Sequence, residues 1–483
     1  MSWSVFSWTS ALEDFLNPYH HLTPLVELPV DLNPYAQDGV RVFLKLQTFL
    51  PLGNIKSLSA RGMLHQAKES WQFDDQLPHT IVENSSGNTA FSLAVLGRSM
   101  GIPKMRAWVS QEITKGKLQL LQLFGVEAVV HAEQICPNPQ DPRSGIVKAR
   151  EEGKQAWRYN PDQYHNIANP QIHARLTGKQ LSEQLQSLKD EVEFRFFCAG
   201  LGTTGTFIGI SECLKSHFAS VSALGVVRKP NNPIPWPRTY HLLQQIGFDW
   251  QAAMDVLVEV SSKQAYEMSL ALIRAGFLVG PSSGMALQGL FLHLAELKAL
   301  GQLSSFSKKP MAAVVICPDG PYPYLDEYFT YCDAELFPEV LNQELLLESS
   351  SLGLDSFANT LRESKKVFEK LYVQALESED SFSDPEDLVL RQEYVLIDLR
   401  TQQEFAHVHL PGALCLPFAE LSLESFRPFA DKTLVLYCAY GKKSAFWAQK
   451  LQELGYHAFS LQGGLAEWSS NTLPRCKAKD CLL

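Results

Sequence analysis

The stretch Phe196–Ile210, FFCAGLGTTGTFIGI, restricts the fold more than any other part of the chain. Its apolar, aromatic start, ending near Cys198, has the character of a buried strand in a parallel sheet. The run breaks into Gly200-Leu201-Gly202-Thr203-Thr204-Gly205-Thr206 and continues as helix-compatible sequence to about His217. A strand, a glycine-rich turn and a helix N-terminus together make an anion site. Glycines admit close backbone approach, the free N–H groups of the first turn point outward, and Thr203, Thr204 and Thr206 add hydroxyl donors. The expected anion is a phosphate. No Lys-Ser/Thr pair follows, which excludes a Walker loop, and the dinucleotide fingerprint fits poorly.

Two further stretches have the same grammar. In VFLKLQTFLPLGNIKSLSARGM (42–63) a strand-like start leads to a Pro-Leu-Gly-Asn turn, with Lys56 at the mouth of a helix beginning near Ser57. A lysine there faces the positive end of the helix dipole, the wrong end for a structural cation. Its amine suits a depressed pKa and attack on an aldehyde. Lysine and phosphate cradle, far apart in sequence, are the pair that pyridoxal phosphate needs, one for its aldehyde and one for its phosphate. In IVENSSGNTAFSLAVLG (81–97) apolar residues lead into Ser85-Ser86-Gly87-Asn88-Thr89 and then into helical sequence, a helix N-terminus suited to a carboxylate. KMRAWVS, a helix over Leu118–Phe124 and VEAVVHA continue the strand–helix alternation of a doubly wound sheet.

At 483 residues the chain is too long for one core. A composition of 45% hydrophobic and 19% charged residues with a net charge of −10 gives no footprint for nucleic acid or anionic membrane. The nine cysteines show no zinc-type spacing, and no metal is expected. The N-terminus lacks a basic leader, no apolar run reaches membrane-span length, and the terminal DCLL places Cys481 one position too late for prenylation. A soluble, cytoplasmic protein is expected.

TPLVEL (23–28), the Lys56 segment, SSGNTA, QYHNIANPQIHARLTG (163–178), GLGTTGT, VGPSSGMA (279–286) and CPDGPYPYLDEYF (317–329) occur in the order and at roughly the spacing of the cysteine synthase and cystathionine β-synthase family. The resemblance covers about residues 15–330. It implies a pyridoxal 5′-phosphate enzyme of fold type II, with two doubly wound α/β lobes and a homodimeric assembly. It implies Lys56 as the Schiff-base lysine, Asn88 at the cofactor's ring hydroxyl, and Ser282 at the pyridine nitrogen. Gly202, Thr203, Thr204, Gly205 and Thr206 would hold the phosphate, and Ser85, Ser86, Gly87, Thr89 and Gln163 the substrate carboxylate. A neutral hydroxyl at the pyridine nitrogen leaves a weaker electron sink than an aspartate, suited to β-elimination or replacement rather than transamination. The chain departs from the family's Gly-Ser-x-Lys-Asp-Arg at Asn54, Ser57 and Leu58, from its Thr-Thr-Gly at Leu176, and from SGNTG at Ala90. The Pro-rich, Arg-bearing segment 225–250 is expected at the substrate entrance.

From Phe337 the composition becomes acidic and serine-bearing, read as a partly helical linker that covers little core, with one amphipathic helix around Asp355–Leu376. The end of the chain starts afresh. Its LIDLR, HLPGA, CAYGKKS and GGLAEW resemble the motifs of a single rhodanese domain. Cys438 opens a loop whose amides curl inward ahead of a helix, which stabilises a thiolate able to carry a persulfide. Lys443 stands where that family commonly has arginine, and lysine lacks the bidentate fork, so a different donor preference is expected. Asp398, Arg400 and His409 are read as braces of the fold, and Cys476 and Cys481 as thiols on a frayed tail.

The expected organisation is a pyridoxal-phosphate domain over 1–335 (first lobe about 40–165), a linker over 336–384, a rhodanese-like α/β domain over 385–475 and a tail over 476–483. The expected chemistry is β-replacement on an activated serine with a sulfur donor, giving cysteine or a derivative. Alternatives are elimination of sulfide from cysteine, or a C-terminal domain that only binds or regulates.

Overall fold

The computed structural model describes residues 5–74, 77–133, 137–303, 309–341, 359–374, 385 and 388–477. The chain divides into one compact unit over 1–338 and another over 339–483.

The strands of the first unit are β1 (Leu25–Glu27), β2 (Val40–Leu46), β3 (Thr80–Asn84), β4 (Lys104–Ser110), β5 (Val126–His131), β6 (Arg158–Tyr159), β7 (Glu193–Gly200), β8 (Ser222–Arg228), β9 (Val256–Val260) and β10 (Met311–Cys317). They form a larger sheet of order β1-β2-β10-β7-β8-β9 and a smaller one of order β5-β4-β3-β6. Among the described residues only β1 runs antiparallel to its neighbour in these two sheets; the other pairs are parallel. MAAVVIC of β10 is buried at every position. Its alternate residues serve two cores, Ala312, Val314 and Ile316 packing with Phe197 and Phe207, and Met311, Ala313 and Val315 with Leu287 and Leu290. That is what a period of two does in a strand covered on both faces. The smaller sheet builds its own core from Ile81, Met105, Ala107 and Val126 against Leu93 and Leu121.

The first lobe does not begin at 40. VFLKL lies in β2, which pairs with β10 over Val40–Leu46 and so belongs to the larger sheet. A strand buried on both faces reads the same in either sheet, and only the long-range pairing with β10 decides between them. Four turns leave the C-terminal ends of β2, β3, β7 and β10, the end at which open parallel sheets place ligands. They lead to helix Lys56–Asp74, helix Asn88–Ser99, helix Gly205–His217 and the Pro318-Asp319 turn.

The second unit holds β11 (Leu361–Arg362), β12 (Tyr372–Gln374), β13 (Leu388–Leu390), β14 (Tyr394–Asp398), β15 (Val408–His409), β16 (Leu414–Cys415), β17 (Thr433–Tyr437), β18 (His457–Leu461) and β19 (Cys476–Lys477). A parallel sheet of order β11-β18-β17-β14-β16 forms its centre. Part of the stretch read as linker belongs to this fold. β11 adds an edge to β18, and helix Ser364–Leu371 buries Val367 and Leu371, with Tyr372, against Leu396, Val435 and Trp468. The expected helix is shorter than Asp355–Leu376, and 342–358 and 375–384 lie outside the described residues. Acidic composition masked the apolar stripe of that helix. Cys476 is not frayed either, because β19 pairs with β15; Cys481 lies outside the described residues.

Candidate active site

Lys56 is the first residue of its helix, and Asn54 closes that end. The Asn54 side chain accepts from Ser57 N at 3.2 Å, while Ser57 Oγ donates to Asn54 O at 2.7 Å. Asparagine thus fills at Asn54 the capping role that a serine also fills. The turn is pinned to the end of β10, because Ile55 N donates to Pro318 O at 2.7 Å. The Lys56 amine reaches across to the β7 turn and donates to Thr203 Oγ1 at 3.2 Å. Removal from water pulls its pKa down to about 8, against the opposing pull of Glu83.

The β7 turn is built for an anion. Thr204 takes the left-handed conformation at φ 67°, and helix Gly205–His217 follows at once with no side-chain cap on its first turn. Thr206 Oγ1 and Ser59 Oγ meet His173 Nε2 at 3.2 and 3.1 Å. His173 is fully buried, and burial together with Lys56 lowers its pKa to about 3, so the ring is neutral and one nitrogen accepts. Asn169 Nδ2 donates to Thr203 Oγ1 at 3.2 Å and to Gln163 O at 2.8 Å. Both residues lie in QYHNIANPQIHARLTG, where the sequence reading used Gln163 alone.

Lys56, Asn88, Gly202, Thr203, Thr204, Thr206 and Ser282 line one cavity, together with Asp319. Ser282 stands in the first turn of helix Pro281–Ala299, and its buried hydroxyl has no partner in the protein. An orphaned buried hydroxyl aimed at a cavity implies a ligand that satisfies it. Gly205 opens the helix beside this cavity, and a Cβ there would come within 2.6 Å of the Asn169 side chain.

An adjoining cavity shares Lys56, Gly202 and Thr203 and is lined by Ser85, Ser86, Gln163, Trp108, Trp236, Lys117 and Arg238. Segment 225–250 therefore reaches this mouth through Trp236 and Arg238. Gly87 and Thr89 stand behind the lining. A Cβ on Gly87 would strike the Trp236 ring at 2.6 Å, and Thr89 Oγ1 donates to Gln163 Oε1 at 3.0 Å. Gln163 Nε2 donates to Asn84 O at 3.1 Å, so Thr89 and Gln163 brace the Ser85–Gly87 turn. Beneath it lies Glu83, buried and accepting from Asn84 N at 2.9 Å and Gln163 N at 3.3 Å. Burial, then Asp162, pushes its pKa up to about 8. The sequence reading did not single out Glu83, Asn169, His173 or Asp319.

In the second unit Cys438 follows the last residue of β17 and lines a cavity with Arg400, Phe418, Tyr440, Lys442 and Lys443. Ser444 Oγ donates to Cys438 Sγ at 3.5 Å and accepts from Ser460 Oγ at 2.8 Å. Leu465 N and Ala466 N, opening helix Gly464–Ser470, donate to Cys438 O and Ala439 O at 2.9 and 3.0 Å. Lys443 Nζ lies 4.8 Å from the centre of the Phe418 ring. Asp398 and Arg400 form a buried ion pair of 2.6 Å, and His409 Nδ1 meets Phe405 O at 2.9 Å.

Two parallel lobes around a cavity with a buried amine, an uncapped helix N-terminus and an orphaned serine define a fold-type II enzyme. The chain belongs to the pyridoxal-phosphate dependent enzymes, whose family profile matches residues 16–306, and residues 384–471 match the rhodanese-like domain. Curated relatives include the cysteine synthase of Staphylococcus aureus, 28% identical over 58% of this chain and 87% of the relative. The cystathionine beta-synthase of Saccharomyces cerevisiae is 28% identical over 55% of this chain and 54% of its own length. Among solved structures, O-ureido-L-serine synthase superposes with a TM-score of 0.54 at 20% identity, covering 67% of this chain and 96% of that one. A cysteine synthase of Entamoeba histolytica gives 0.53 at 21%, covering 69% and 94%. The cofactor of this family is pyridoxal 5′-phosphate, and the residues present fit it: an amine held out of water, a phosphate-type helix terminus and an unsatisfied hydroxyl on one cavity. Among the described residues no helix is long and apolar enough to cross a membrane, and no group of His, Cys, Asp and Glu is placed to hold a metal ion.

Proposed function

We propose that the first unit catalyses β-replacement on an activated serine, making cysteine or a derivative with a sulfur nucleophile, and that the second carries sulfur on Cys438. The observation that carries the reading is the Lys56 amine, 3.2 Å from Thr203 at the head of an uncapped helix and on one cavity with the orphaned Ser282 hydroxyl. The cysteine synthases among its relatives support the same reading.

Lys56 would hold the aldehyde, Gly202, Thr203, Thr204, Gly205 and Thr206 the phosphate, Asn88 the ring oxygen and Ser282 the ring nitrogen. When bound, pyridoxal phosphate supplies an electron sink for the pair left at the substrate Cα. Ser85 and Ser86 hold the substrate carboxylate, in a turn kept in shape by Gly87, Thr89 and Gln163. Lys56 takes the Cα proton as the β-substituent departs and returns a proton to Cα after the nucleophile adds, a task suited to an amine with a pKa of about 8. The neutral Ser282 hydroxyl favours β-chemistry over transamination. In the second unit the Cys438 thiolate attacks the outer sulfur of a donor such as thiosulfate, the donor's S–S bond breaks and sulfite leaves. The outer sulfur of the resulting persulfide then passes to cyanide as thiocyanate, or to an acceptor thiol whose persulfide a second thiol reduces, releasing sulfide for the first unit and leaving a disulfide. A cytoplasmic homodimer acting on small molecules completes the proposal.

The test compares sulfide, and thiosulfate with a small reducing thiol, as sulfur sources, with O-acetylserine and O-phosphoserine as substrates, in the native chain, Lys56→Ala and Cys438→Ser. Lys56→Ala should lose all product formation and the visible absorption of the bound cofactor. Cys438→Ser should lose thiosulfate:cyanide transfer and thiosulfate-driven synthesis and keep sulfide-driven synthesis. Thiosulfate working equally well without Cys438 refutes the coupling. Sulfide release from cysteine with no synthesis from either serine ester replaces replacement by elimination.

A further inference from the structure

The motif CPDGPYPYLDEYF (317–329) has no role in the scheme above, yet its aspartate sits in the cofactor cavity. Asp319 is 2% exposed and follows β10 after Pro318. Its Oδ2 accepts from Asn88 Nδ2 at 2.6 Å and from Tyr324 OH at 2.5 Å, while its Oδ1 is buried without a partner. Tyr324 OH in turn accepts from Trp236 Nε1 at 2.6 Å. The backbone beside the carboxylate is fixed on two sides. Gly280 N, heading the Ser282 helix, donates to Asp319 O at 2.9 Å, and Ile55 N, beside Lys56, donates to Pro318 O at 2.7 Å. A Cβ at Gly280 would come within 2.6 Å of Asp319 Oδ1, so only glycine leaves the carboxylate its place there.

We infer that Asp319 is a positioning residue for the cofactor ring: it fixes which edge of the Asn88 amide faces the ring oxygen. The inference rests on the assignment of Asn88 to that oxygen. An ionised carboxylate only accepts hydrogen bonds, so it takes the nitrogen end of the amide and leaves one of its two N–H groups for a ligand. Burial raises the Asp319 pKa only to about 6, against the opposing hydrogen bonds of Tyr324 and Asn88, so the group is ionised at pH 8. An N–H favours the ring oxygen in its ionised form, whereas an amide carbonyl would favour its protonated form. These two forms absorb at different wavelengths. An asparagine at 319 has the same shape but both donates and accepts, and would let the Asn88 amide face either way.

The experiment uses the full-length chain loaded with pyridoxal phosphate at pH 8. It reads the ratio of the long- to the short-wavelength absorption band, and the cofactor dissociation constant by equilibrium dialysis. Asp319→Asn should shift the ratio toward the short-wavelength band and weaken cofactor binding about tenfold, the difference between a charge-assisted and a neutral hydrogen bond. Placed on an Asn88→Ala background, Asp319→Asn should cause no further spectral change, because its effect passes through that amide. Tyr324→Phe, which removes the other donor and leaves the Asn88 bond, should keep the native ratio. A native ratio and affinity in Asp319→Asn overturns the inference, as does an equal shift with and without Asn88. Should Asp319→Asn not fold, Tyr324→Phe still decides: a shifted ratio there routes control through Tyr324 and Trp236 and refutes the role of the amide. A native chain that takes up no pyridoxal phosphate overturns the cofactor assignment itself, a different result from an unresponsive Asp319→Asn.

Discussion

Replacing Gly205 by alanine should weaken cofactor retention about tenfold, and by aspartate at least about a further tenfold. The magnitude follows from what stands beside it. A Cβ built at Gly205 lies 2.6 Å from Asn169 Cγ and Oδ1 and 2.7 Å from Nδ2, nearer than carbon and these atoms can approach. Asn169 is fully buried, so it yields only by giving up the hydrogen bonds of Nδ2 to Gln163 O at 2.8 Å and to Thr203 Oγ1 at 3.2 Å. One buried hydrogen bond left unmade costs about 1–3 kcal/mol, and 1.36 kcal/mol is a factor of ten, so about tenfold lies in the lower half of that range. Aspartate adds a negative charge against a phosphate dianion at the same helix terminus. The assay titrates resolved apoprotein with pyridoxal phosphate, following tryptophan fluorescence and the visible band, with circular dichroism to verify the fold. Native affinity in both folded variants would refute the phosphate cradle at Gly202–Thr206.

Three more outcomes test separate parts of the structure. Lys56 has a pKa of about 8 in the fold against 10.5 for a free lysine. The native state therefore binds that proton less tightly than the unfolded chain, which destabilises the apoprotein below pH 8 and is relieved as pH rises from 8 to about 10.5. In urea unfolding Lys56→Met should be the more stable apoprotein at pH 7 and lose that advantage across this window; a difference that stays constant contradicts the burial of the amine. Ser282→Ala removes a hydroxyl that bonds nothing in the protein, so the apoprotein should melt within about 0.5 kcal/mol of native while turnover falls, and a large loss of apoprotein stability would mean the hydroxyl serves the fold. Leu371→Ala should destabilise the second unit by about 2–4 kcal/mol, read from the denaturant midpoint of thiosulfate:cyanide transfer, and an unmoved midpoint would return residues 359–374 to the status of a linker.

The local parts of the fold were legible because strand, turn and helix follow one another in sequence. FFCAG before GTTGT, and VEN before SSGNT, each state a buried strand, a turn and a helix start within about fifteen residues. What sequence could not carry is pairing at a distance. β2 reads as a buried strand whichever sheet receives it, and β10, more than 260 positions later, decides. Asp319 was out of reach for the same reason: its partner Asn88 lies 231 positions away, and an aspartate in a Pro-Asp-Gly turn looks like ordinary turn chemistry. The Ser364–Leu371 helix was hidden by its acidic, serine-rich surroundings, since a short apolar stripe in such company resembles a solvated linker until β11 is seen on the edge of the sheet.

The Cys438 loop is gripped from behind on two consecutive carbonyls by the amides that open helix Gly464–Ser470. Gly464 cannot carry a side chain there, because a Cβ would come within 2.2 Å of Cys438 O. A loop held so closely behaves as an anvil, not as an arm. On the proposed transfer, such a loop would not swing its sulfur toward a distant acceptor, and travel would belong to whatever collects that sulfur. The acceptors proposed for it would then be small diffusible thiols and cyanide, or a thiol on a slender flexible segment that enters the cavity lined by Arg400, Phe418 and Lys443.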